Sequence, residues 1–240
     1  MNITARRTTR PCTCLLSVFV LGMLFSTDVV EAVFTPDDGP YDTGPLKTAV
    51  TSCLAETGDG SCPIFAASND ATGNPYGAMS DWDVSKVTTM ENLFSSYLAR
   101  TFNQDLSKWS MANVVTTKWM FLGALVFNRD LSKWTMSSVT NMHGMFQTAT
   151  AFNGDVTTWN VSSVTNLEGA FFQAWVFNRD VGQWSVSRVT SLKNTFQEAK
   201  KFQQNLNNWD TSKVTSMEGT FSRMFVAGYA EGFNQPLNNW

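Results

Sequence analysis

The chain has 240 residues and a formal net charge of −3, and its single histidine is His143. Its 17 lysines and arginines nearly balance its 20 aspartates and glutamates without a long run of one sign, which excludes the strongly basic surface typical of nucleic-acid-binding proteins. Phenylalanine (18) and tryptophan (9) are abundant, so we expect an aromatic core in one elongated domain.

Residues 1–32 have the features of a secretory signal peptide. Three arginines precede an apolar run from Cys14 to Phe25, and small residues around Ala32 suit cleavage. A membrane anchor is the alternative, but the run of about a dozen residues is shorter than the roughly 20 that a spanning helix needs. Removing this segment takes away three arginines, one aspartate and one glutamate, so the net charge becomes −4. We therefore predict a secreted or cell-surface protein with no membrane insertion after signal removal.

Residues 33–78 are predicted to form a small N-terminal cap and connector. Apolar residues from Leu46 to Leu54 recur at helical spacing, which predicts a short helix. Cys53 and Cys62 are the cysteines left after signal removal, and such a pair in a secreted chain indicates a disulfide. A zinc site would need four ligands, which the two cysteines and the distant histidine do not supply. The helix and its disulfide would cover the first repeat unit.

Residues 79–240 contain about six repeat units, of which the last is irregular. Tryptophan recurs every 25 residues, and a Phe-Asn or Phe-Gln pair begins seven residues before it. The evenly spaced tryptophans are Trp109, Trp134, Trp159, Trp184 and Trp209. A fixed period of this length is typical of a stacked repeat protein, in which no unit buries its apolar face alone.

Within one unit the apolar residues predict a helix. Val139, Met142, Phe146 and Ala149 step by three and four, which places them on one helical face. The short piece around Val156 reads as a single strand segment. The sequence therefore predicts an α/β solenoid with one short strand and one helix per 25-residue unit, with stacked strands pairing into a parallel sheet. Tryptophan and phenylalanine would fill the interior.

The repeat resembles the BspA-like bacterial surface repeat. The run from Phe102 to Trp109, F-N-Q-D-L-S-K-W, and the run from Trp82 to Met90, W-D-V-S-K-V-T-T-M, follow its approximate unit F-N-x-D-L-S-x-W-D-V-S-x-V-T-x-M-x-x-M-F. The resemblance covers about residues 79–240. It implies a leucine-rich-repeat-like fold, secretion or display on cells, and a role in adhesion or recognition.

The residues that could carry catalysis or bind a metal do not form a recognisable pattern. The repeat position of His143 holds glutamate or lysine in other units, which is typical of a solvated face and not of a catalytic base. One repeat position carries an acidic side chain in four successive units: Asp105, Asp130, Asp155 and Asp180. These carboxylates either accept backbone N–H bonds in turns or hold calcium, and we favour turns because Asn205 and Pro236 break the series. We expect no enzyme activity, no cofactor and no metal.

Departures from the repeat point to candidate binding residues. Large apolar side chains occupy predicted outward positions at Trp119, Leu122, Phe172 and Trp175. They either form a partner-binding patch or pack on neighbouring units. Asn160 begins an N-V-S sequon in the turn after a tryptophan, and it is either glycosylated or an unmodified turn residue.

The expected function is recognition of a protein or cell surface without catalysis. Two alternatives remain open: a glycan-binding or, less favoured, glycan-cleaving extracellular protein, and a structural component of a cell wall or coat. The sequence stops at Trp240 inside a unit, so we also expect either further repeats or end-to-end self-association through an uncovered edge.

Overall fold

The computed structural model describes residues 44–70, 73–224 and 232–240. The predicted signal peptide lies outside the described residues. Within them, the helices are α1 (Pro45–Glu56) and α2 (Pro63–Ala67), and two short 3₁₀ segments span Met79–Asp81 and Tyr97–Thr101. No β-strand occurs in this part of the chain; its β-pairing consists of isolated bridges.

The helix predicted in the cap is confirmed as α1. Pro45 stands at its first turn, where a missing N–H costs nothing. The helix buries the expected apolar side chains, which are Leu46, Ala49, Val50, Cys53 and Leu54. The predicted disulfide is also present, and it joins Cys53 in α1 to Cys62 just before α2, with the two Cα atoms 5.0 Å apart.

The predicted strand-and-helix unit is wrong, and with it the leucine-rich-repeat-like α/β solenoid. Each described unit is a sequence of tight turns, and one parallel bridge pairs it with the next unit. The bridge residues are Thr89, Thr116, Asn141, Asn166, Ser191 and Ser216. They stand at the start of the predicted helix, whereas the segment at Val156 that was predicted as a strand forms no bridge.

The close spacing of the units explains why no helix fits. Rings in adjacent units lie 5.6 Å apart between Phe146 and Phe171, and 6.0 Å apart between Trp159 and Trp184. A bridged unit follows its neighbour at about 4.8 Å, whereas a helix with its side chains is about 10 Å across. A helix in every unit would force the ring stacks apart.

Consecutive turns produce the apolar spacing that predicted the helix. The N–H of Met145 donates to the carbonyl of Met142, and the N–H of Ala149 donates to that of Phe146, at 3.1 and 3.0 Å. The third residue of each turn has a left-handed backbone, with φ of 59° at Gly144 and 60° at Thr148. Turns of four residues place apolar side chains at steps of three and four, as a helix does.

The predicted aromatic core is confirmed. In the regular units, the tryptophan and both phenylalanines are buried and stack on their counterparts in the next unit. Each indole N–H also donates to a main-chain carbonyl of the preceding unit, as Trp159 does to Leu131 at 2.9 Å. The apolar rings and their polar edges therefore both fix the register of the stack.

Candidate functional site

The four candidate binding residues lie on two different surfaces. We call one surface the turn face, which comprises residues 89–96, 116–123, 141–148, 166–173, 191–198 and 216–223. Trp119, Leu122 and Phe172 belong to the turn face. Trp175 lies beyond it, in a row with Leu125. The patch suggested by the sequence is therefore divided.

Trp119 is held by its neighbours on the turn face. Its ring packs over Gly144, where an added Cβ would lie 2.4 Å from the indole Cδ1. The Lys118 ammonium stands 4.1 Å from the ring centroid, and the His143 ring meets the indole edge-on at 5.2 Å. Trp119 is half-buried, so packing on a neighbouring unit accounts for it.

Leu122 and Phe172 are also half-buried, and they are not adjacent. They occupy the same repeat position two units apart, with Gln147 in the unit between them. Gly144 and Gly169 flank the Gln147 amide, with the Gln147 Oε1 atom 3.0 and 3.7 Å from the Cβ positions that would extend from them. A polar side chain therefore interrupts the apolar surface of the turn face.

Trp175 is exposed on the adjoining edge of the stack. Its side chain is 43% exposed, and the Lys200 ammonium stands 4.3 Å from its ring centroid. Its row includes Thr150, whose hydroxyl donates to the carbonyl of Leu125 in the preceding unit at 3.1 Å. Trp175 therefore lies on the same edge as Leu125, two units away, with the polar Thr150 between them.

The same edge forms an apolar depression beside α1. It has a volume of about 560 Å³. The residues lining it are Leu54, Ala55, Gly58, Tyr97, Leu98, Arg100, Thr101, Leu125 and Val126. Tyr97 is 80% exposed and Val126 is 43% exposed, which is unusual for large side chains that have apolar neighbours. We call Tyr97, Leu98, Leu125, Val126 and Trp175 the edge stripe.

Sequence reasoning missed Tyr97 and Val126. Tyr97 belongs to the first unit, in which 27 residues separate Trp82 from Trp109 in place of the usual 25. This two-residue excess was the available signal, because added residues in a packed repeat emerge at its surface. Val126 stands beside a buried phenylalanine, and the sequence alone does not show whether the Val126 side chain points outward or inward.

Basic side chains lie at the two ends of the edge stripe. The Arg100 guanidinium lies 5.4 Å from the Tyr97 ring centroid at one end, and Lys200 covers Trp175 near the other. Lys201 is exposed beside Lys200. A chain whose net charge is negative thus has a locally positive apolar surface.

His143 lies in a column of mostly charged side chains of both signs. The column contains Glu91, Lys118, His143, Glu168, Lys193 and Glu218. Lys118 pairs with Glu91 at 3.1 Å, and Lys193 pairs with Glu218 at 2.8 Å. Burial lowers the pKa of His143, and Lys118 lowers it further against the opposing effect of Glu168. This geometry gives the imidazole a packing role.

The repeated aspartates close turns. The carboxylates of Asp105 and Asp130 each accept the backbone N–H two residues later at 2.8 Å, and Asp155 and Asp180 do so at 2.9 Å. Asn205 makes the same bond with its side-chain oxygen at 2.9 Å. Across the described ranges, no group of three or more His, Cys, Asp or Glu side chains is placed to hold a metal ion.

Asn160 lies where the sequon predicted, in an exposed turn. Its Oδ1 atom accepts the N–H of Ser162 at 3.1 Å. A glycan would be attached to the side-chain nitrogen of this exposed residue, so the position suits a surface glycan.

Comparison with known proteins identifies a family. The family model described as "Mycoplasma protein of unknown function, DUF285" matches residues 64–180 and, in a second match, residues 152–240. A search of curated proteins and a search of solved structures each found no match to the chain. None of the helices in the described ranges is long and apolar enough to cross a membrane.

Proposed function

The chain belongs to this DUF285 family, and we propose that it is a non-catalytic recognition protein that binds a polypeptide along the edge stripe. The observation that carries the proposal is the depression of about 560 Å³, with Tyr97 and Val126 exposed at its border. Exposed aromatic and aliphatic side chains around a concave surface are typical of protein-binding sites.

The charges around the stripe define the chemistry of the partner. Arg100 lies in the first unit, and Lys200 and Lys201 lie in the fifth. Four unit spacings of about 5 Å give roughly 20 Å, which an extended segment of about six residues spans. We infer that the partner presents apolar side chains flanked by carboxylates, because such a segment would complement both the apolar stripe and its basic ends.

The sequence supports an extracellular setting for this interaction. Residues 1–32 carry the features of a signal peptide, and the repeat resembles the BspA-like surface unit. We therefore propose that the protein acts outside the cell or on its surface, with a protein or cell-surface ligand. Repeat proteins present long uniform surfaces, so local departures such as Tyr97 and Trp175 supply the selectivity.

Two exposed valines provide a matched test of the binding surface. A photo-crosslinking residue at position 126 should capture a surface protein on living cells, whereas one at position 115 should not. Val115 is 45% exposed but lies outside the edge stripe. With the captured protein purified, Val126→Asp should weaken binding at least tenfold, because a buried charge would oppose the apolar contact. Val115→Asp should leave affinity within about twofold.

The role of charge can be tested in the same assay. Arg100→Glu should weaken binding and reduce its dependence on salt, because the partner's carboxylates would meet a like charge. Equal losses for Val126→Asp and Val115→Asp would contradict the proposed surface. Selective binding to one saccharide on a glycan array, lost in Trp175→Ala, would replace the polypeptide with a glycan as the ligand.

A further inference from the structure

One repeat position carries a side chain that reaches back along the stack to a main-chain carbonyl. The position holds Gln104, Arg129, Gly154, Arg179 and Gln204. Both glutamines and both arginines donate a hydrogen bond to a preceding carbonyl. The arginine bonds are the shortest: the Arg129 Nε atom lies 2.6 Å from the carbonyl oxygen of Asn103, and the Arg179 Nε atom lies 2.7 Å from that of Asn153. The glycine in the middle of the series has no side chain to make this bond.

Each arginine also lies near the aspartate of the preceding unit. Hydrogen bonds from the residue two positions later are the main cause that lowers the pKa of Asp105, and the charge of Arg129 lowers it further. Arg179 has the same effect on Asp155, where hydrogen bonds from two positions later are again the larger cause. One guanidinium therefore bonds a main-chain carbonyl and acts on the carboxylate two residues further along the chain.

Gly154 leaves this arrangement incomplete. The carbonyl of Asn128 corresponds to those of Asn103 and Asn153, but it accepts no hydrogen bond from any described residue. Asp130 corresponds to the two aspartates that lie near an arginine, and at its side of the stack the repeat position is Gly154. A carbonyl and a carboxylate that share a guanidinium in two other units therefore lack one here.

The missing side chain leaves a polar depression of about 370 Å³. We call it the Gly154 slot, and its lining residues are Asn128, Asp130, Asn153, Gly154, Asp155 and Arg179. Two carboxylates and one guanidinium give this lining a net charge of −1. A Cβ on Gly154 would lie 2.0 Å from the carbonyl oxygen of Arg129, so the backbone here accepts only glycine. The chain cannot fill the slot with a side chain of its own at this position.

We propose that the Gly154 slot binds the guanidinium group of an arginine side chain from a polypeptide partner. The bound group would donate to the carbonyl of Asn128 and lie beside Asp130, as the chain's own arginines do at the equivalent groups of two other units. A planar guanidinium has several donors and can bond a carbonyl and a carboxylate together, whereas an ammonium is a compact point charge. The slot shares no residue with the edge stripe, so this inference is independent of the ligand proposed there.

Nα-acetyl-L-arginine amide provides the probe, because its blocked ends leave the guanidinium as its only charge. The matched controls are the blocked amides of citrulline, which has a neutral urea group, and of lysine. Amide NMR spectra of the isotope-labelled full chain measure binding. The arginine probe should shift the Ser132 amide, whose N–H donates to Asp130 at 2.8 Å, and neither control should shift it as far at equal concentration. No shift with the arginine probe, or equal shifts with lysine or citrulline, would overturn the proposal.

Two aspartate variants test the carboxylate of the slot. Asp130→Asn removes its charge, and the amide oxygen still accepts the N–H of Ser132, as the amide of Asn205 does in its own turn. This variant should weaken binding of the arginine probe roughly fivefold, the effect of a well-placed surface ion pair. Asp105→Asn is the matched control and should leave the affinity unchanged, because Arg129 already occupies the corresponding place. Equal affinities for the two variants would contradict the assignment of Asp130.

Arg129→Ala tests the same geometry at a second place. The variant removes the guanidinium from the carbonyl of Asn103 and from Asp105, so it should open an equivalent slot. The arginine probe should then also shift the Ser107 amide, whose N–H donates to Asp105 at 2.8 Å. In the unaltered protein the Ser107 amide should not respond. A folded Arg129→Ala variant with no response at Ser107 would overturn the inference, because the equivalent groups would then not bind a guanidinium from outside.

Discussion

Glycine and asparagine at one repeat position distinguish this array from a helical one. The residue ten positions after each unit's tryptophan has a left-handed backbone, with φ of 59° at Gly144, 60° at Gly169 and 56° at Asn194. Glycine adopts this conformation without steric cost, and asparagine tolerates it better than most residues. In an α-helix the same glycines would be unfavourable, so their recurrence favours turns.

Replacing Gly169 by alanine should destabilise the protein if the residue lies in a left-handed turn, whereas it would stabilise the protein if the residue lay in an α-helix. At φ of 60° the new Cβ meets no clash, because its nearest neighbour, the Gln147 Oε1 atom, is at an ordinary contact distance of 3.7 Å, so the effect isolates backbone strain. We expect a loss of about 1–2 kcal/mol in the free energy of unfolding, measured by urea denaturation. In a helix the same change would raise the free energy of unfolding by about 1 kcal/mol. Glu168→Ala, on the same face, is the control and should change stability by less than about 0.5 kcal/mol; a more stable Gly169→Ala variant would contradict the turn.

At the scale of the repeat unit, the tryptophan contributes packing and a directed hydrogen bond. Trp159 is buried between Trp134 and Trp184, at ring distances of 6.2 and 6.0 Å. Its indole N–H donates to the carbonyl of Leu131 in the preceding unit at 2.9 Å. The ring stabilises the stack, and the N–H fixes the register between neighbouring units.

Two substitutions at Trp159 separate these contributions. Trp159→Ala should cost about 3–5 kcal/mol, as for other large buried aromatics. Trp159→Phe keeps a ring but removes the indole N–H. The Leu131 carbonyl still accepts the backbone N–H of Trp134 at 3.0 Å, so we expect the lost hydrogen bond to cost about 0.5–1.5 kcal/mol. Chemical denaturation of both variants measures the difference. Equal losses would mean that the ring retained in Trp159→Phe adds nothing, and a Trp159→Phe variant as stable as the parent would mean that the hydrogen bond adds nothing. A Trp159→Ala variant as stable as the parent would contradict the buried stack.

The periodic part of the unit could be predicted from sequence, and its backbone could not. The 25-residue period predicted the buried tryptophans and phenylalanines, because identical positions in a stack have identical surroundings. Val139, Met142 and Phe146 predicted a helix because apolar spacing reports which side chains are inside and not which backbone places them there. Gly144 and Gly169 carried the missing signal. The exposed Tyr97 and Val126 escaped prediction because they depend on how the first unit meets α1.

At the scale of the whole molecule, repeated carboxylate turns link stability to pH. Hydrogen bonds from the backbone N–H of Ser107 hold the pKa of Asp105 below its ordinary value of 3.8, and those from Thr157 do the same for Asp155. Hydrogen bonds from the residue two positions later also lower the pKa of Asp59, Asp83 and Asp210. In the unfolded chain these bonds are absent, so these carboxyl groups hold their protons less tightly in the folded state than in the unfolded state.

Acid should therefore weaken the whole array. The stabilisation is fully present above the unfolded-state pKa of about 4 and is lost as the pH falls from there through the lowered folded-state values. Thermal melting between pH 7 and pH 2.5 should show that the Tm falls below about pH 4. The same series at high salt, which screens repulsion between like charges, is the control for the change in net charge. The double variant Asp105→Asn and Asp155→Asn should keep most of its Tm at pH 7, because an amide oxygen accepts the same N–H bond, as at Asn205. Its Tm should fall less in acid than that of the parent; an equal fall would show that these turns do not cause the acid sensitivity.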